Sequence, residues 1–299
     1  MSKPILLTSF FILITNTTLT ANAQISETAA WAVTVQNEFR VISDITYRQA
    51  SGVDLKIDVY QSRNIEGPAP TFIYYHGGGW VGGNKEANIL RLIPYIEQGW
   101  AAVNVQYRLG DVSLAPAAVE DSLCALRWVS RNAEQYGFDT DRLVVSGNSA
   151  GGHLALTTGM VPPSAGLDRQ CLGDATPEVA AIVNWYGITD VNDLLNGVNQ
   201  KSYAVRWLGA QHNMNEIAKR VSPLTYIRSD LPPIITIHGD ADPIVPYDHA
   251  VQLHKGLDQA EVTNTLITVP GGLHGGFAAN EMLRVYSSIF SFLKENVLD

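Results

Sequence analysis

The chain has 299 residues, 46% of them hydrophobic, which is enough to bury a sizeable core in a single domain. Its formal net charge is −9, and its basic residues form no cluster. An acidic chain of this kind is poorly suited to binding nucleic acid or an anionic membrane surface. We therefore expect neither of them as a partner.

The first 23 residues have the order of a secretory signal peptide. A short start containing Lys3 precedes an apolar stretch of signal-peptide size, and small residues follow at Ala21 and Ala23. The apolar stretch is shorter than the roughly 20 residues that a membrane span needs, and no cysteine directly follows the expected cleavage site for a lipid anchor. We predict cleavage after Ala23, a secreted or periplasmic location and no membrane anchor.

Alternating and continuous apolar runs predict the strands. Residues 41–49 and 53–61 alternate apolar and polar side chains around Ser51 and Gly52, which indicates a β-hairpin. Six later runs are short, apolar and rich in β-branched residues, as in strands buried on both faces of a parallel sheet. These runs are residues 71–76, 101–107, 142–147, 180–186, 233–239 and 265–271.

Helices are predicted between these strands, and Gly137 is suited to end the second of them. They cover residues 85–98, 115–136, 150–159, 246–259 and 276–297. Strands that alternate with helices form a doubly wound, mostly parallel sheet with right-handed crossovers. After the signal peptide, residues 1–23, we predict a single α/β domain over residues 24–299, with a small lid inserted at about residues 187–232.

Ser149 lies in the sequence VSGNSAGGHLA, between a predicted strand and a predicted helix. The pattern G-x-S-x-G at such a turn is typical of a nucleophile elbow, in which the serine has a strained backbone conformation. Gly147 and Gly151 would let the strand and the helix approach closely. The pattern alone also suits an ordinary tight turn, but its position after a strand predicts that Ser149 is a nucleophile.

Three successive glycines follow the predicted strand 71–76, in the sequence HGGGW. A glycine loop at this position fits the oxyanion hole that accompanies a nucleophile elbow. We expect the backbone amides of Gly78 and Gly79 to bind a substrate oxygen, together with the amide of Ala150, which directly follows the nucleophile. His76 is expected to brace the loop.

A carboxylate and a general base are expected downstream, in the chain order serine, acid, histidine. Residues 233–239 run into DADPIVP, which offers Asp240 and Asp242. We choose Asp242, because Asp240 directly follows the strand and is better placed to cap the loop. The last predicted strand runs into GGLHGGF, so His274 lies on a glycine-rich loop at the carboxyl edge of the sheet. His238 lies inside a buried strand and is expected to be structural.

The motifs HGGGW, GNSAG, HGDADPIVP and GGLHGGF occur in this order over residues 41–299. In this combination the chain resembles the α/β-hydrolase esterases, and the resemblance implies a Ser149–Asp242–His274 triad. The hormone-sensitive-lipase-like branch shares HGGG but usually has GDSAG, where this chain has Asn148, and a larger helical cap at its N-terminus. The last two motifs are more similar to those of small secreted feruloyl and acetyl esterases.

The resemblance implies hydrolysis of a small-molecule carboxylic ester through an acyl-enzyme intermediate. It implies no cofactor, and no group of residues has the spacing of metal ligands. Two alternatives remain open: an amidase, formamidase or peptidase that uses the same triad, and a binding protein with an inactive hydrolase fold. The natural ester and the oligomeric state are left open as well.

Four aromatic residues near predicted loop ends are candidates for substrate contacts. They are Trp80, Tyr186, Trp207 and Phe277. Ring faces in a small pocket suit a short or aromatic acyl group, so we expect esters from acetyl to butyryl, and aromatic esters, to be preferred to long-chain lipids. Some of the four could instead pack in the core, Tyr186 first among them.

The chain has two cysteines, Cys124 and Cys171. In an oxidising compartment they could pair, since both are predicted on the same side of the sheet. Two separately buried thiols are the alternative, and the sequence does not decide between them.

Overall fold

The structure is a computed structural model that describes residues 25–64, 67–173 and 177–299. The predicted signal peptide, residues 1–23, lies outside these residues. Helix α1 spans Glu27–Glu38, and the residues through Asn37 form a unit separate from the one that begins at Glu38. The unit that contains the sheet begins at Glu38.

The described part of this domain contains one sheet of eight strands. The strands are β1 (Phe39–Ala50), β2 (Val53–Ser62), β3 (Ala69–Tyr75), β4 (Ala101–Val105), β5 (Phe138–Asn148), β6 (Ala181–Trp185), β7 (Ile234–Gly239) and β8 (Asn264–Val269). Their order in the sheet is β1-β2-β4-β3-β5-β6-β7-β8. Strand β2 is antiparallel to β1 and β4, and the other neighbours are parallel. The predicted hairpin and the predicted mostly parallel sheet are both present.

The central strands are buried on both faces, as their continuous apolar runs predict. Every residue of β4, β6 and β7 is buried. Successive side chains of a strand point to opposite faces, so Ile73 and Tyr75 pack in one hydrophobic cluster while Phe72 and Tyr74 pack in another. The core therefore consists of two layers, one on each face of the sheet.

Helices connect the strands and cover both faces. They are α2 (Ile93–Glu97), α3 (Ala117–Arg131), α4 (Ala133–Tyr136), α5 (Ala150–Met160), α6 (Ser202–Leu208), α7 (Met214–Arg220), α8 (Asp248–Gln259) and α9 (Ala279–Leu293). A π-helical turn, Lys294–Leu298, continues α9. No helix within the described ranges is long and apolar enough to cross a membrane.

Two of the predicted helices are interrupted. The segment 85–98 forms a 3₁₀ helix, Glu86–Arg91, before α2 begins, because Pro94 has no amide hydrogen and is tolerated only in the first turn of a helix. The segment 115–136 divides at Asn132, whose side chain donates a hydrogen bond to the Trp128 carbonyl at 2.7 Å and so competes with the backbone. Gly137 ends α4 with φ +67°, as predicted.

The segment 187–232, between β6 and β7, contains α6 and α7 and is attached to the domain at several points. Trp207 of α6 is fully buried, and its carbonyl accepts a hydrogen bond from the amide of Ala115 at 2.9 Å. His153 of α5 donates its Nε2 hydrogen to the carbonyl of Val221 at 2.7 Å. Side chains of the segment therefore belong to the core of the domain.

Cys124 and Cys171 form a disulfide bond. The bond joins α3 to the chain that follows α5, across a sequence separation of 47 residues. Of the two alternatives that the sequence left open, the structure therefore contains the pair.

Candidate active site

Ser149 is the residue at which β5 gives way to α5, and its backbone has φ 57° and ψ −120°. A positive φ is strained for a residue with a side chain. The flanking glycines are required by close packing: a Cβ at Gly147 would lie 2.3 Å from the Gly151 carbonyl oxygen, and a Cβ at Gly151 would lie 2.0 Å from the Tyr75 carbonyl oxygen. The sharp turn expected of a nucleophile elbow is thus present.

His274 follows β8 on a loop in which Gly275 and Gly276 have φ of +82° and +66°. Its Nδ1 lies 2.6 Å from Oδ2 of Asp242, and its Nε2 lies 2.9 Å from Oγ of Ser149. Because an ionised carboxylate can only accept, Nδ1 carries the hydrogen, and Nε2 is left to accept the hydrogen of the serine hydroxyl. The structure thus brings together the three residues that the motifs singled out.

Asp242 is fixed in the loop after β7. Its Oδ1 accepts hydrogen bonds from the amides of Ile244 at 2.7 Å and Val245 at 3.0 Å. Burial raises the pKa of its carboxyl group, but hydrogen bonds from His238 and His274 outweigh burial and hold the pKa well below its usual range. Asp242 therefore carries a negative charge beside His274.

Asp240, the other carboxylate of this loop, has a different partner. Its Oδ1 accepts a hydrogen bond from the amide of Gly271 at 2.6 Å. The bond joins the loop after β7 to the turn after β8. Asp240 therefore has the capping contact that the sequence analysis expected for it.

The glycine loop after β3 lines the space in front of Ser149. Gly78 and Gly79 have φ of +121° and +60°, and a Cβ at Gly78 would lie 2.1 Å from the carbonyl oxygen of Gly82. In the part of the chain that the structure describes, the amides of Gly78 and Gly79 donate to no protein acceptor. Ala150 is the first residue of α5, where helix amides point outward with partial positive charge.

Asn148 connects the glycine loop to the elbow. Its Oδ1 accepts hydrogen bonds from the Tyr74 hydroxyl at 2.8 Å and from the Gly77 amide at 3.2 Å. The sequence analysis noted Asn148 only as a departure from GDSAG. A polar side chain at the buried end of a strand, directly before the nucleophile, was the signal for this contact.

His76 braces the same loop, as expected. Its Nδ1 donates to the Gly77 carbonyl at 2.7 Å, and its ring stacks on Tyr107 with 4.3 Å between centroids. Burial lowers the pKa of His76 to about 4. The side chain is therefore neutral near pH 7 and contributes a hydrogen bond rather than a charge.

A cavity of about 380 Å³ opens at Ser149 and His274. Beyond these residues and the glycine loop, its wall contains Asn84, Ala87, Asn88, Tyr203 and Ile244. The sequence analysis did not identify these side chains. The two asparagines follow HGGGW closely, and that proximity could have indicated them. Tyr203 comes from the 187–232 segment, where no motif marks it.

The two tryptophans predicted to contact the substrate are buried instead. The rings of Trp80 and Trp207 are fully buried and stack on each other with 4.1 Å between centroids, and Trp80 Nε1 donates to Nδ1 of His153 at 3.1 Å. Their large apolar surfaces fill the space between α5 and the 187–232 segment. In this structure neither ring has a surface free for a substrate, which corrects the prediction for both.

Tyr186 and Phe277 also lie outside the lining of the cavity. Tyr186 is buried, and its ring packs against that of His274 with 4.6 Å between centroids. Phe277 meets the Tyr186 ring edge-on at 6.2 Å. Tyr186 therefore packs directly against the His274 ring, and Phe277 packs against Tyr186. Packing in the core was the alternative considered for Tyr186.

A larger cavity, about 580 Å³, is lined by Ala180 and Pro233, which precede β6 and β7 and so lie at the end of the strands away from Ser149. Among the described residues, no three His, Cys, Asp or Glu side chains are grouped as metal ligands would be. The arrangement around Ser149 is therefore the candidate active site.

A comparison with protein families decides the identity of the chain. Residues 57–257, more than half of the chain, match the family described as BD-FAE. The chain belongs to the BD-FAE family. The match includes the glycine loop, the elbow and Asp242, and it ends before His274.

Solved structures place this family member in a known fold. A truncated carbohydrate esterase from gut microbiota is 25% identical with a TM-score of 0.76, covering 88% of this chain and 98% of the other. A thermophilic esterase of Thermogutta terrifontis, solved with propionate bound, is 27% identical with a TM-score of 0.72, covering 84% of this chain and 93% of the other. The chain has the α/β-hydrolase fold that the sequence predicted.

Similar curated proteins are named as ester hydrolases. The probable carboxylic ester hydrolase LipM of Mycobacterium tuberculosis is 28% identical over 214 residues, which are 69% of this chain and 49% of the relative. The chain spans about half the length of the curated relatives it matches first.

Proposed function

We propose that the protein hydrolyses carboxylic esters, with Ser149 as nucleophile, His274 as general base and Asp242 as the group that orients the histidine. One observation carries the proposal: a continuous path of hydrogen bonds runs from Ser149 Oγ through His274 to Asp242, with distances of 2.9 Å and 2.6 Å. The similarity to proteins named as esterases supports it.

The geometry supports a separate role for each group in the proposed acyl transfer. Nε2 of His274 takes the hydroxyl hydrogen of Ser149 while Oγ attacks the ester carbonyl carbon, and the buried carboxylate of Asp242 stabilises the resulting imidazolium. The carbonyl oxygen becomes negatively charged and is bound by the amides of Gly78, Gly79 and Ala150. The alcohol leaves with the hydrogen from His274, and a water molecule activated in the same way releases the acid.

The size of the cavity favours small acyl groups. Its volume, about 380 Å³, is near the lower end of the range of roughly 300–1,000 Å³ for ligand pockets. Tyr203 and Ile244 bound it, and the Tyr203 hydroxyl donates to the Ile244 carbonyl at 3.2 Å. We therefore propose acetyl to butyryl esters, and esters of aromatic acids, as substrates. In this proposal the 187–232 segment acts as a lid through Tyr203.

We also propose that the protein is exported. The predicted signal peptide, residues 1–23, is the sequence argument. The Cys124–Cys171 bond supports it, because disulfides persist mainly in oxidising compartments. Expression with residues 1–23 and sequencing of the mature N-terminus outside the cytoplasm would test the proposal, and a retained Met1 in the cytoplasm would contradict it.

The hydrolase proposal is tested by covalent labelling. A fluorophosphonate probe reacts with an activated serine, so we expect one adduct, located on Ser149 by mass spectrometry, and none in Ser149→Ala. Matched 4-nitrophenyl acetate and 4-nitroacetanilide then distinguish ester from amide hydrolysis. A wild-type protein that takes no label and cleaves neither compound would contradict the proposed function.

The chain-length proposal needs a second measurement. We expect kcat/KM for esters of one alcohol to be highest at acetate or butyrate and to fall through octanoate to palmitate. A maximum at palmitate would contradict the small acyl site.

A further inference from the structure

His238 is a second histidine in contact with the carboxylate of Asp242. It lies in β7 one residue before the strand ends, and its side chain is fully buried. Its Nε2 is 3.3 Å from Oδ2 of Asp242 and 3.0 Å from the carbonyl oxygen of Val245. Its Nδ1 has no hydrogen-bond partner among the described residues.

These contacts define the hydrogen on the His238 ring. Both neighbours of Nε2, a carboxylate oxygen and a backbone carbonyl, can only accept, so Nε2 must carry a hydrogen. Nδ1 is then the bare nitrogen of a neutral imidazole. A second hydrogen on Nδ1 would be a buried donor without an acceptor, which is unfavourable. His238 is therefore a neutral donor shared between Asp242 and Val245.

Four groups of the described residues surround the carboxylate of Asp242. Oδ1 accepts hydrogen bonds from the amides of Ile244 and Val245, Oδ2 accepts one from Nδ1 of His274, and Nε2 of His238 lies 3.3 Å from the same Oδ2. The two oxygens turn together about the Cβ–Cγ bond, so the amides at Oδ1 and the imidazoles at Oδ2 act together to keep Oδ2 in line with His274. A neutral donor also leaves the charge of Asp242 available to His274, where an imidazolium would cancel it.

We propose that His238 is a positioning residue of the active site, whose Nε2 hydrogen holds Oδ2 of Asp242 in line with Nδ1 of His274. The proposal rests on the proposed hydrolase function. His238 touches no reacting atom and acts through Asp242. The sequence analysis took it as a structural residue because it lies inside a buried strand.

Paired substitutions separate this role from simple packing. The side-chain amide of Gln reaches about as far as Nε2 of His, so His238→Gln keeps the donor, whereas His238→Leu keeps apolar bulk and removes it. We expect His238→Leu to lower kcat about ten- to a hundredfold, with KM changed less than threefold, because a hydrogen bond to a charged group is lost. We expect His238→Gln to recover most of kcat.

A matched control is available in α8. His254 is buried to a similar extent, and within the described ranges its Nε2 also has no hydrogen-bond partner. Its Nδ1, however, bonds Asn264 rather than the active site. We expect His254→Leu to leave kcat within about twofold of the wild type. If His238→Leu is as active as His238→Gln, or His254→Leu is equally impaired, the positioning role is wrong and packing explains the site.

An NMR measurement tests His238 independently of activity. Two-bond ¹H–¹⁵N spectra of the wild type should show His238 as the neutral Nε2–H form, with slow exchange of that hydrogen. A neutral Nδ1–H form, or a charged ring at pH 7, would overturn the proposal even in an active enzyme. A wild type without Ser149-dependent hydrolysis would instead contradict the proposed function, whatever the His238 spectrum.

Discussion

Trp80 and Trp207 stack with 4.1 Å between ring centroids and a 14° angle between ring planes. Trp80 follows the glycine loop, and Trp207 belongs to α6 of the 187–232 segment, so the pair joins the segment to the proposed oxyanion loop. Tyr203, one helical turn before Trp207, lines the cavity. The stack therefore fixes the position of the cavity wall.

Removing one ring of this stack should destabilise the fold. We expect Trp207→Ala to lower the free energy of unfolding by about 3–5 kcal/mol, because it leaves a large cavity in the core, and to lower kcat/KM through displacement of Tyr203. Urea unfolding measures the first effect. Val198→Ala, in the same segment but fully exposed, is the control and should change stability by less than about 0.5 kcal/mol. Equal stability of the two variants would contradict the role of the stack.

The two aspartates after β7 should respond very differently to the same change. Asp242→Asn removes the charge beside His274 and the acceptor that selects its tautomer, so we expect kcat to fall about 10⁴-fold. Asp240→Asn keeps an oxygen that can accept from the amide of Gly271, and we expect kcat to change less than threefold. Steady-state kinetics on a short-chain ester compares the two variants. A larger loss of kcat in Asp240→Asn than in Asp242→Asn would show that Asp240, not Asp242, orients the histidine.

Two glycines of the loop after β3 offer a matched test of the oxyanion site. In Gly78→Ala the new Cβ would lie 2.1 Å from the backbone oxygen of Gly82, at φ +121°, so the loop must move. We expect kcat to fall about 10²–10³-fold, as for loss of an oxyanion donor. A Cβ at Gly82 would meet only the Gly78 oxygen, at 3.8 Å, so Gly82→Ala should retain most activity. If Gly78→Ala were as active as Gly82→Ala, the loop would have no part in the proposed mechanism.

Two buried histidines predict how stability depends on pH. Burial lowers the pKa of His76 to about 4 and of His153 to about 3, against about 6.5 in the unfolded chain. Their stabilisation is therefore fully present above about pH 6.5 and is lost progressively as the pH falls toward the folded values, because the unfolded state binds protons first. Between pH 7 and pH 5 we expect a loss of about 4 kcal/mol from the pair.

Urea unfolding at several pH values measures this dependence. His76→Gln should remove about 2 kcal/mol of the loss, which is the share of His76, while the buried His249 and His254, whose pKa values burial also lowers, still titrate. His212→Gln, at an exposed position, should leave the slope unchanged. A free energy of unfolding that does not change between pH 7 and pH 5 would show that the buried histidines do not stay neutral.

The strands, and the proximity of Ser149, Asp242 and His274, could be predicted from the sequence because their signals are local. Runs of β-branched residues mark parallel strands that are buried on both faces, and the carboxyl ends of such strands meet at one edge of the sheet. Ser149, Asp242 and His274 each follow a strand, so their order and position were enough to bring them together. The choice of Asp242 over Asp240 depended on one step in sequence, and the hydrogen bonds agree with it.

Contacts between distant segments could not be predicted in this way. From the sequence, Trp80 and Trp207 suit a substrate surface as well as a core. The packing of α6 against the glycine loop places both rings in the core. The sequence predicts one helix over residues 85–98, but α2 begins only at Ile93, because Pro94 is tolerated in the first turn of a helix and not in its interior. The contact of His238 with Asp242 depends on the path of the loop after β7, which no periodicity describes.

The disulfide has a consequence for proteolysis. Ser149 lies between Cys124 and Cys171, inside the loop that the bond closes. Pro163 and Ser164 are exposed in the stretch between α5 and Cys171, where a protease could cut. The fragment that carries Ser149 would then stay covalently attached to the fragment that carries Asp242 and His274, and would separate from it on a denaturing gel only after a reductant was added.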